Sequence, residues 1–385
     1  MSESKAQKDT LDVPENSLVV KCTAPVNIAV IKYWGKRDTK LNVPINSSLS
    51  ACIDQDSIRS ETTIIASKSF KEDSIVLNDK KAEVTKRMQI VISELRARAQ
   101  DYKENGQVLI KKSEWKDYRL RIVARNNFPT AAGLASSASG LACFTTCLAT
   151  LYGVKDSYAG ELTTIARQGS GSACRSMYGG WVAWRMGTKA DGKDSIAQQV
   201  AKETHWPDMR ILVLVASAKK KDVSSTDGMQ DTVRTSPLIS YRASSIVPQR
   251  MTEMEKAIKE RNFPKFGELT MKDSNQFHAV CLDSYPPIFY LNETSHRAIR
   301  VVDAFNKYSG EIKAAYTFDA GPNPVIYVLK QNMEEILALF LHYFHPQQSD
   351  MTLKQYVSDP VGLTNFDLVS QFNQKRSDAS SLSGK

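Results

Sequence analysis

The sequence predicts an α/β protein with two lobes, on three observations. Its 385 residues suffice for two domains or one large two-lobed unit. Short β-branched, strand-like runs recur among stretches whose apolar residues fall at helical spacing, and there is no internal repeat. A loop of small residues, Asn126 to Ser139, follows the strand-like run Leu120 to Ala124 and leads into a helix-like stretch, Gly140 to Leu151. Such a junction lets backbone N–H groups approach an anion, helped by about half a positive charge at the helix N-terminus.

Composition narrows the partners. Apolar residues make up 42% and charged residues 24%, as in ordinary soluble proteins. The net charge of +9 favours anions without choosing among nucleic acid, membrane and polyphosphate. The basic residues are spread along the chain, with no arginine-rich tail, zinc-finger spacing or aromatic–basic RNA signature, which argues against nucleic acid as the main partner. Six scattered cysteines do not form a disulfide framework, so a reducing, cytoplasmic setting is expected. No run of 18 apolar residues predicts a membrane span, and the polar start, Met1 to Glu15, has no apolar signal core.

In chain order, residues 1–15 read as a disordered tail, and Leu18 to Ala24 as a strand. Pro25 to Ile31 continues as strand up to Lys32-Tyr33-Trp34-Gly35-Lys36, with a turn at Gly35. That run is either a cationic, aromatic-walled pocket edge or a strand end with solvated lysines. Leu41 to Ile53 is a further strand. Thr62 to Ala66 and Ser74 to Leu77 read as paired strands, with a turn at Asn78-Asp79. Ala82 to Gln100 is a helix striped by Val84, Met88, Val91, Ile92, Leu95 and Ala99. Arg87 lies at the stripe's edge, either solvated or reaching into a site. Ser136, Ser137 and Ser139 offer hydroxyls to a phosphate or metal, or belong to a capped helix packed on a sheet. Cys143 and Cys147, one turn apart, read as core thiols rather than a metal pair.

A helix from Tyr158 to Arg167 runs into a second small-residue loop, Gln168 to Ser176. There Arg175 suits a bidentate grip on carboxylate or phosphate, or stands exposed on a turn. Gly179 to Trp184 and Arg210 to Ala216 read as strands, with a soft boundary between domains near 187–208. Ser225 and Thr226 are candidate caps for the helix that follows. Leu238–Arg261, Pro264–Val280 and Asn292–Tyr308 are helical, and Lys313 to Leu329 forms two strands about a turn. Asp319 at that turn either faces a cleft or merely forms the turn. Met333 to Phe344 is a last core helix. His342 and His345 have no neighbouring ligands in sequence to make a metal site.

Four stretches in this order resemble the mevalonate diphosphate decarboxylases, members of the GHMP kinase superfamily. They are Lys32-Tyr33-Trp34-Gly35-Lys36, Pro129 to Ser139, Ser170 to Arg175, and Tyr316 to Asn323. The second is this family's version of the superfamily phosphate loop; the other three are specific to the decarboxylases. The resemblance implies a GHMP kinase-type α/β fold with a ribosomal protein S5-like N-terminal lobe and a ferredoxin-like C-terminal lobe, and the site in the cleft. It implies domains at 16–200, binding ATP, and 201–372, with a flexible tail at 373–385. It implies ATP-dependent decarboxylation of (R)-5-diphosphomevalonate, with Mg2+ and a homodimer, and with no nucleic-acid or membrane partner. The alternative is a kinase of the same superfamily that stops after phosphoryl transfer.

By the same resemblance Asp319, Lys32 and Arg175 are catalytic. Tyr33, Trp34, Gly35, Lys36, Arg87, Ser170, Gly171, Ser172, Ala173, Cys174, Arg175 and Thr226 contact the substrate. Pro129, Ala132, Gly133, Leu134, Ala135, Ser136 and Ser137 cradle the ATP phosphates. No protein ligand of the metal is assigned, because Mg2+ favours phosphate oxygens and water. Pro324, where a small residue is more usual, is expected to stiffen the Asp319 turn.

Overall fold

The computed structural model describes residues 13–128, 136–217, 221–344 and 351–382, with side chains as far as 374. The first strands are β1 (Leu18–Pro25), β2 (Asn27–Ile31), a two-stranded ribbon of β3 (Lys36–Asp38) and β4 (Val43–Pro44), and β5 (Ser48–Cys52). Next come β6 (Arg59–Ser67), β7 (Ser74–Leu77), β8 (Lys80–Ala82), helix α1 (Lys86–Ala97), the ribbon β9 (Tyr102–Glu104) and β10 (Gln107–Ile110), and β11 (Arg119–Asn126). Helices α2 (Ser136–Leu151) and α3 (Glu161–Gly169) lead to strands β12 (Trp181–Trp184), β13 (Ala197–Ala201) and β14 (Met209–Val213). Helices α4 (Ser225–Thr235), α5 (Pro237–Tyr241), α6 (Val247–Lys259), α7 (Phe263–Leu282) and α8 (Glu293–Ser309) follow. The chain ends with strands β15 (Ala314–Phe318) and β16 (Pro324–Leu329) and helices α9 (Met333–Phe344), α10 (Leu353–Tyr356) and α11 (Phe366–Leu382).

Three sheets carry the fold. A five-stranded sheet has the order β1-β6-β11-β7-β8, a four-stranded sheet β13-β12-β5-β2, and a three-stranded sheet β14-β16-β15. Strands β6 and β7 do not pair with each other as the sequence suggests. Strand β11 lies between them, antiparallel to β6 and parallel to β7. It carries the fully buried Leu120 and Ile122 on one face, and its central place gives hydrogen-bonding partners on both sides to a strand that a β6–β7 hairpin would leave at an edge. The turn at Asn78-Asp79 is present, joining β7 to β8 with positive φ at both residues, as a tight hairpin requires.

Helix α1 starts later than its stripe suggests, because Thr85 caps it by accepting from the Met88 N–H. Helix α2 packs on the five-stranded sheet, and its cysteines are core thiols. The Cys143 thiol donates to the Cys22 carbonyl and the Cys147 thiol to that of Thr62. All six cysteines are free. The residues from Lys375 onward, read as a loose tail, continue as helix to Leu382. No helix among the described residues is long and apolar enough to cross a membrane.

One core joins the first half of the chain to the second. Val26, Ile28, Leu49 and Trp181 pack with Met254, Phe266 and Tyr327. The Tyr327 hydroxyl donates to the Ile28 carbonyl at 3.0 Å, also across that seam. The end of β2 and the end of β15 are thereby brought together.

Candidate active site

Strand β2 is buried at every position, and its pairing with β5 slips between Ala29 and Ile31. A bulge at this point re-aims the residues after it. The next residue, Lys32, sends its side chain across the seam, and its Nζ donates to Asp319 Oδ1 at 2.6 Å. The lysine side chain is almost wholly buried, while the aspartate keeps 39% of its exposure. Asp319 follows β15 directly, on a tight turn in which the Gly321 N–H donates to the Asp319 carbonyl. The Asn323 side chain pins that turn to both the N–H and the carbonyl of Ser217. Pro324 opens β16 opposite Phe318, a strand-start position that needs no N–H from it. Burial pushes the Asp319 carboxyl up, but Lys32, with Lys221 and Arg175 behind it, outweighs burial and holds it below its ordinary value.

Arg175 lies on a 3-10 turn, Gly171–Met177, where the sequence reads a flexible loop. It is buried and, among the described residues, bonded only to neutral oxygens. Its Nε donates to Ser50 Oγ at 2.6 Å and Asn27 Oδ1 at 3.3 Å, one terminal nitrogen to Ser48 Oγ at 2.6 Å, and the other to Ser172 Oγ at 3.1 Å. A guanidinium has five N–H donors, so each terminal nitrogen keeps one hydrogen for a further acceptor. Burial pulls the Arg175 guanidinium below its ordinary value, with Cys174 and Asp319 opposing. Asn27 also donates to the Ser172 carbonyl and to Ser176 Oγ. Asn27, Ser48 and Ser50 therefore belong to the site, although no motif marks them.

The Lys32 to Lys36 run splits by side chain. Tyr33 packs on Trp184 at 4.7 Å between ring centroids, and its hydroxyl is buried without a hydrogen-bond partner among the described residues. Trp34 turns into the core instead, edge-on to Phe277, with its indole N–H on Thr232. Gly35 has φ +92°, and a β-carbon there would meet Ile45 at 2.5 Å, so the turn admits only glycine. Lys36 is half-buried, and burial followed by the neighbouring Arg87 lowers its ammonium below the ordinary lysine value. Arg87 binds the carbonyls of Thr39, Lys40 and Gln168 and reaches toward Tyr33 and Lys36 rather than away into solvent.

On the 3-10 turn, a β-carbon at Gly171 would sit 3.0 Å from the Tyr33 ring. Ala173 and Cys174 are buried in the core, and the Cys174 thiol donates to the Gly171 carbonyl. Ser170 marks the end of α3. Thr226 is exposed in the first turn of α4, but the cap is Ser224, which accepts from the Asp227 N–H. Neither Ser225 nor Thr226 caps that helix.

At the opening loop, Pro129, Ala132, Gly133, Leu134 and Ala135 lie outside the described residues. Ser136 and Ser137 start α2, whose first turn holds no acidic residue, and Ser137 is exposed. Ser139 faces inward: its hydroxyl pairs with Ser60 Oγ at 2.7 Å, and it offers nothing to a phosphate. His345 is outside the described residues, and among those described no three His, Cys, Asp or Glu side chains gather to hold a metal.

Comparison with known proteins identifies the family. Residues 24–197 match the diphosphomevalonate decarboxylase-like N-terminal domain, and residues 211–382 match the mevalonate 5-diphosphate decarboxylase C-terminal domain. The diphosphomevalonate decarboxylase of Danio rerio is 54% identical over 333 residues, which is 86% of this chain and 81% of that protein. A crystal structure of mevalonate 5-diphosphate decarboxylase superposes with TM-score 0.78 at 45% identity, covering 92% of this chain and 88% of that one. MDDEF, solved in complex with MVAPP, AMPPCP and magnesium, superposes with TM-score 0.74 at 32% identity, covering 86% of this chain and 95% of that one. The mixed α/β architecture is thus the GHMP kinase type, and the chain belongs to the diphosphomevalonate decarboxylase family.

Proposed function

We propose that this chain decarboxylates (R)-5-diphosphomevalonate at the expense of ATP, releasing isopentenyl diphosphate, carbon dioxide, ADP and phosphate. The observation that carries the reading is the ion pair of buried Lys32 with the partly exposed Asp319, beside Arg175, a buried cation bonded among the described residues only to neutral oxygens. A buried charge without a counter-charge in contact is costly, and a bound carboxylate would supply one.

The chemistry uses both features. A tertiary hydroxyl is a poor leaving group, so it is first phosphorylated. Asp319 orients the 3-hydroxyl and receives its proton, a role that requires hydrogen-bond reach of the reacting oxygen. Its lowered pKa makes it a weak base, so its greater contribution is electrostatic: a fixed negative charge for the cation that develops as phosphate leaves. Lys32 holds that carboxylate and neutralises the transferring phosphoryl group. Arg175 grips the substrate carboxylate, aligning the carbon–carbon bond that breaks as the alkene forms. Lys36 and Arg87 supply neighbouring cations suited to the diphosphate, with the unpartnered Tyr33 hydroxyl buried close by.

The nucleotide and its metal fit the same arrangement. Sixteen residues of helix beginning at Ser136, with an exposed Ser137 and no acid in the first turn, suit the ATP phosphates. Mg2+ would sit on those phosphates and water, with the Ser136 and Ser137 hydroxyls available to it, and would offset charge on the transferring group. The test is incubation with ATP, Mg2+ and diphosphomevalonate, following carbon dioxide and isopentenyl diphosphate together. Equal release of both is expected; ADP without carbon dioxide would make the chain a kinase.

A further inference from the structure

We propose that Asp273, with Arg242, is a positioning residue for the reaction: it holds the peptide of Lys32 and so sets the Lys32–Asp319 pair. Asp273 is completely buried on α7, and its Oδ2 accepts the Lys32 backbone N–H at 2.7 Å. Arg242, equally buried, donates to both oxygens of Asp273, at 2.8 and 2.9 Å, and to the Lys32 carbonyl at 3.2 Å. The Lys32 residue is therefore held at its N–H by one member of the pair and at its carbonyl by the other. Arg250 adds a second cation at 2.9 Å from Asp273, and Gln276 accepts from both arginines.

The adjacent residue on α7 completes the device. Ser274 Oγ accepts the N–H of Phe318, the residue before Asp319, at 3.0 Å. Two consecutive side chains of one helix thus fix the peptide N–H of Lys32 itself and that of the residue preceding Asp319. A helix is stiff over one residue, so α7 acts as a gauge between strands from opposite halves of the chain. Arg242 opens a π-helical turn, Arg242–Ile246, between α5 and α6. Such single π turns occur often at functional sites.

Stability alone is a poor reason for this cluster, since apolar residues of similar volume commonly replace a buried ion pair without loss. What it specifies is geometry. Neither Asp273 nor Ser274 bonds the Lys32 ammonium or the Asp319 carboxylate, so both act through the backbone.

The proposal rests on Lys32 and Asp319 forming the reacting centre. The groups facing Asp319 are Lys32 just after β2, Lys221 from the segment before α4, Arg175 from the 3-10 turn, neutral His278 from α7 and the phenol of Tyr327 on β16. Displacing Lys32 therefore removes the nearest cation, lets the Asp319 carboxyl rise, and moves the acid limb of kcat to higher pH.

The experiment compares Asp273→Asn, Arg242→Lys and Ser274→Ala in the full chain, with carbon dioxide release measured across pH and thermal melting checked in parallel. For Asp273→Asn, kcat per folded enzyme should fall roughly 10- to 100-fold, with KM for both substrates within about threefold of the parent and the acid limb moved upward. Arg242→Lys and Ser274→Ala should move the limb in the same direction by less. Where Asp273→Asn does not fold, these two milder variants decide. An unmoved acid limb with parental kcat in the folded variants overturns the proposal, as does a lower melting temperature with an unmoved limb. Lys32→Ala and Asp319→Asn serve as controls. Near-normal turnover in them would remove the reacting centre itself. Their inactivity beside normal Asp273 and Ser274 variants would remove only the gauge.

Discussion

Arg175 and His278 show opposite ways of carrying a basic group inside a protein. Arg175 stays cationic because four neutral oxygens surround it in a planar fork, a set that a lysine ammonium cannot reproduce. Arg175→Lys should therefore raise KM for diphosphomevalonate about 10- to 100-fold and lower kcat, while KM for ATP stays near the parent value. Steady-state kinetics with each substrate varied in turn checks this, and an unchanged diphosphomevalonate KM would remove the carboxylate grip. His278 instead gives up its charge. Burial, followed by repulsion from Lys32, lowers its imidazole to about 3. In the unfolded chain the same ring takes a proton near pH 6.5. Below that pH the unfolded state holds the extra proton, so stability falls as pH falls. The slope from this residue is about 1.4 kcal/mol per pH unit between roughly pH 6 and pH 4. Asp319 and Asp273, held below the ordinary carboxyl value in the folded chain, begin to lose their stabilisation only below about pH 5, so the upper half of that window belongs to His278. Urea melts from pH 4 to 7 should show this slope in the parent chain and its loss in His278→Gln.

At the scale of elements, the N-terminus of α2 separates functional from structural serines. Ser137 is exposed at the helix start, while Ser139, two residues on, is buried against Ser60 of β6. Ser137→Ala should raise KM for ATP with little change in melting temperature. Ser139→Ala leaves Ser60 one partner short and should cost about 1–3 kcal/mol of stability, with KM values near parental. Thermal melts and kinetics on the same preparations separate the two effects, and the reverse pattern would exchange the two roles. The sequence places all three serines in one motif and cannot rank them, because burial depends on the sheet beneath. The same boundary explains what else was legible. Lys32, Asp319 and Arg175 stand in short, unusual stretches, and their order along the chain identifies them. Asn27, Ser48 and Ser50 are ordinary polar residues on β2 and β5, and they become a cradle only when Arg175 arrives from over 120 positions away. Asp273 and Arg242 sit within helical patterns, where a charged residue ordinarily reads as a solvated face. The misread β6–β7 pairing has a similar cause: local turn chemistry found the Asn78-Asp79 hairpin, but insertion of β11 is a long-range choice.

The whole molecule is organised so that neither half holds a site alone. Lys32, Tyr33 and Arg175 come from the region matching the N-terminal family domain, and Asp319, Asp273 and Arg242 from the region matching the C-terminal one. The seam between them is a core rather than a wet interface. Phe266 on α7 is fully buried and meets Trp181 at 5.4 Å, Trp206 at 5.6 Å and Tyr327 at 5.3 Å, each edge-on or nearly so. Removing that ring opens a cavity touching both halves, so Phe266→Ala should destabilise the chain by about 3–5 kcal/mol. Because the core is shared, the two halves should unfold together, with calorimetric and van't Hoff enthalpies equal. Trp181 and Trp206 lie in this core, so tryptophan fluorescence and loss of decarboxylation should fall at the same denaturant concentration, in the parent and, shifted lower, in Phe266→Ala. Two separated transitions, with activity lost in the first, would mean instead that the halves fold independently and that the Lys32–Asp319 pair depends on docking rather than on a single core.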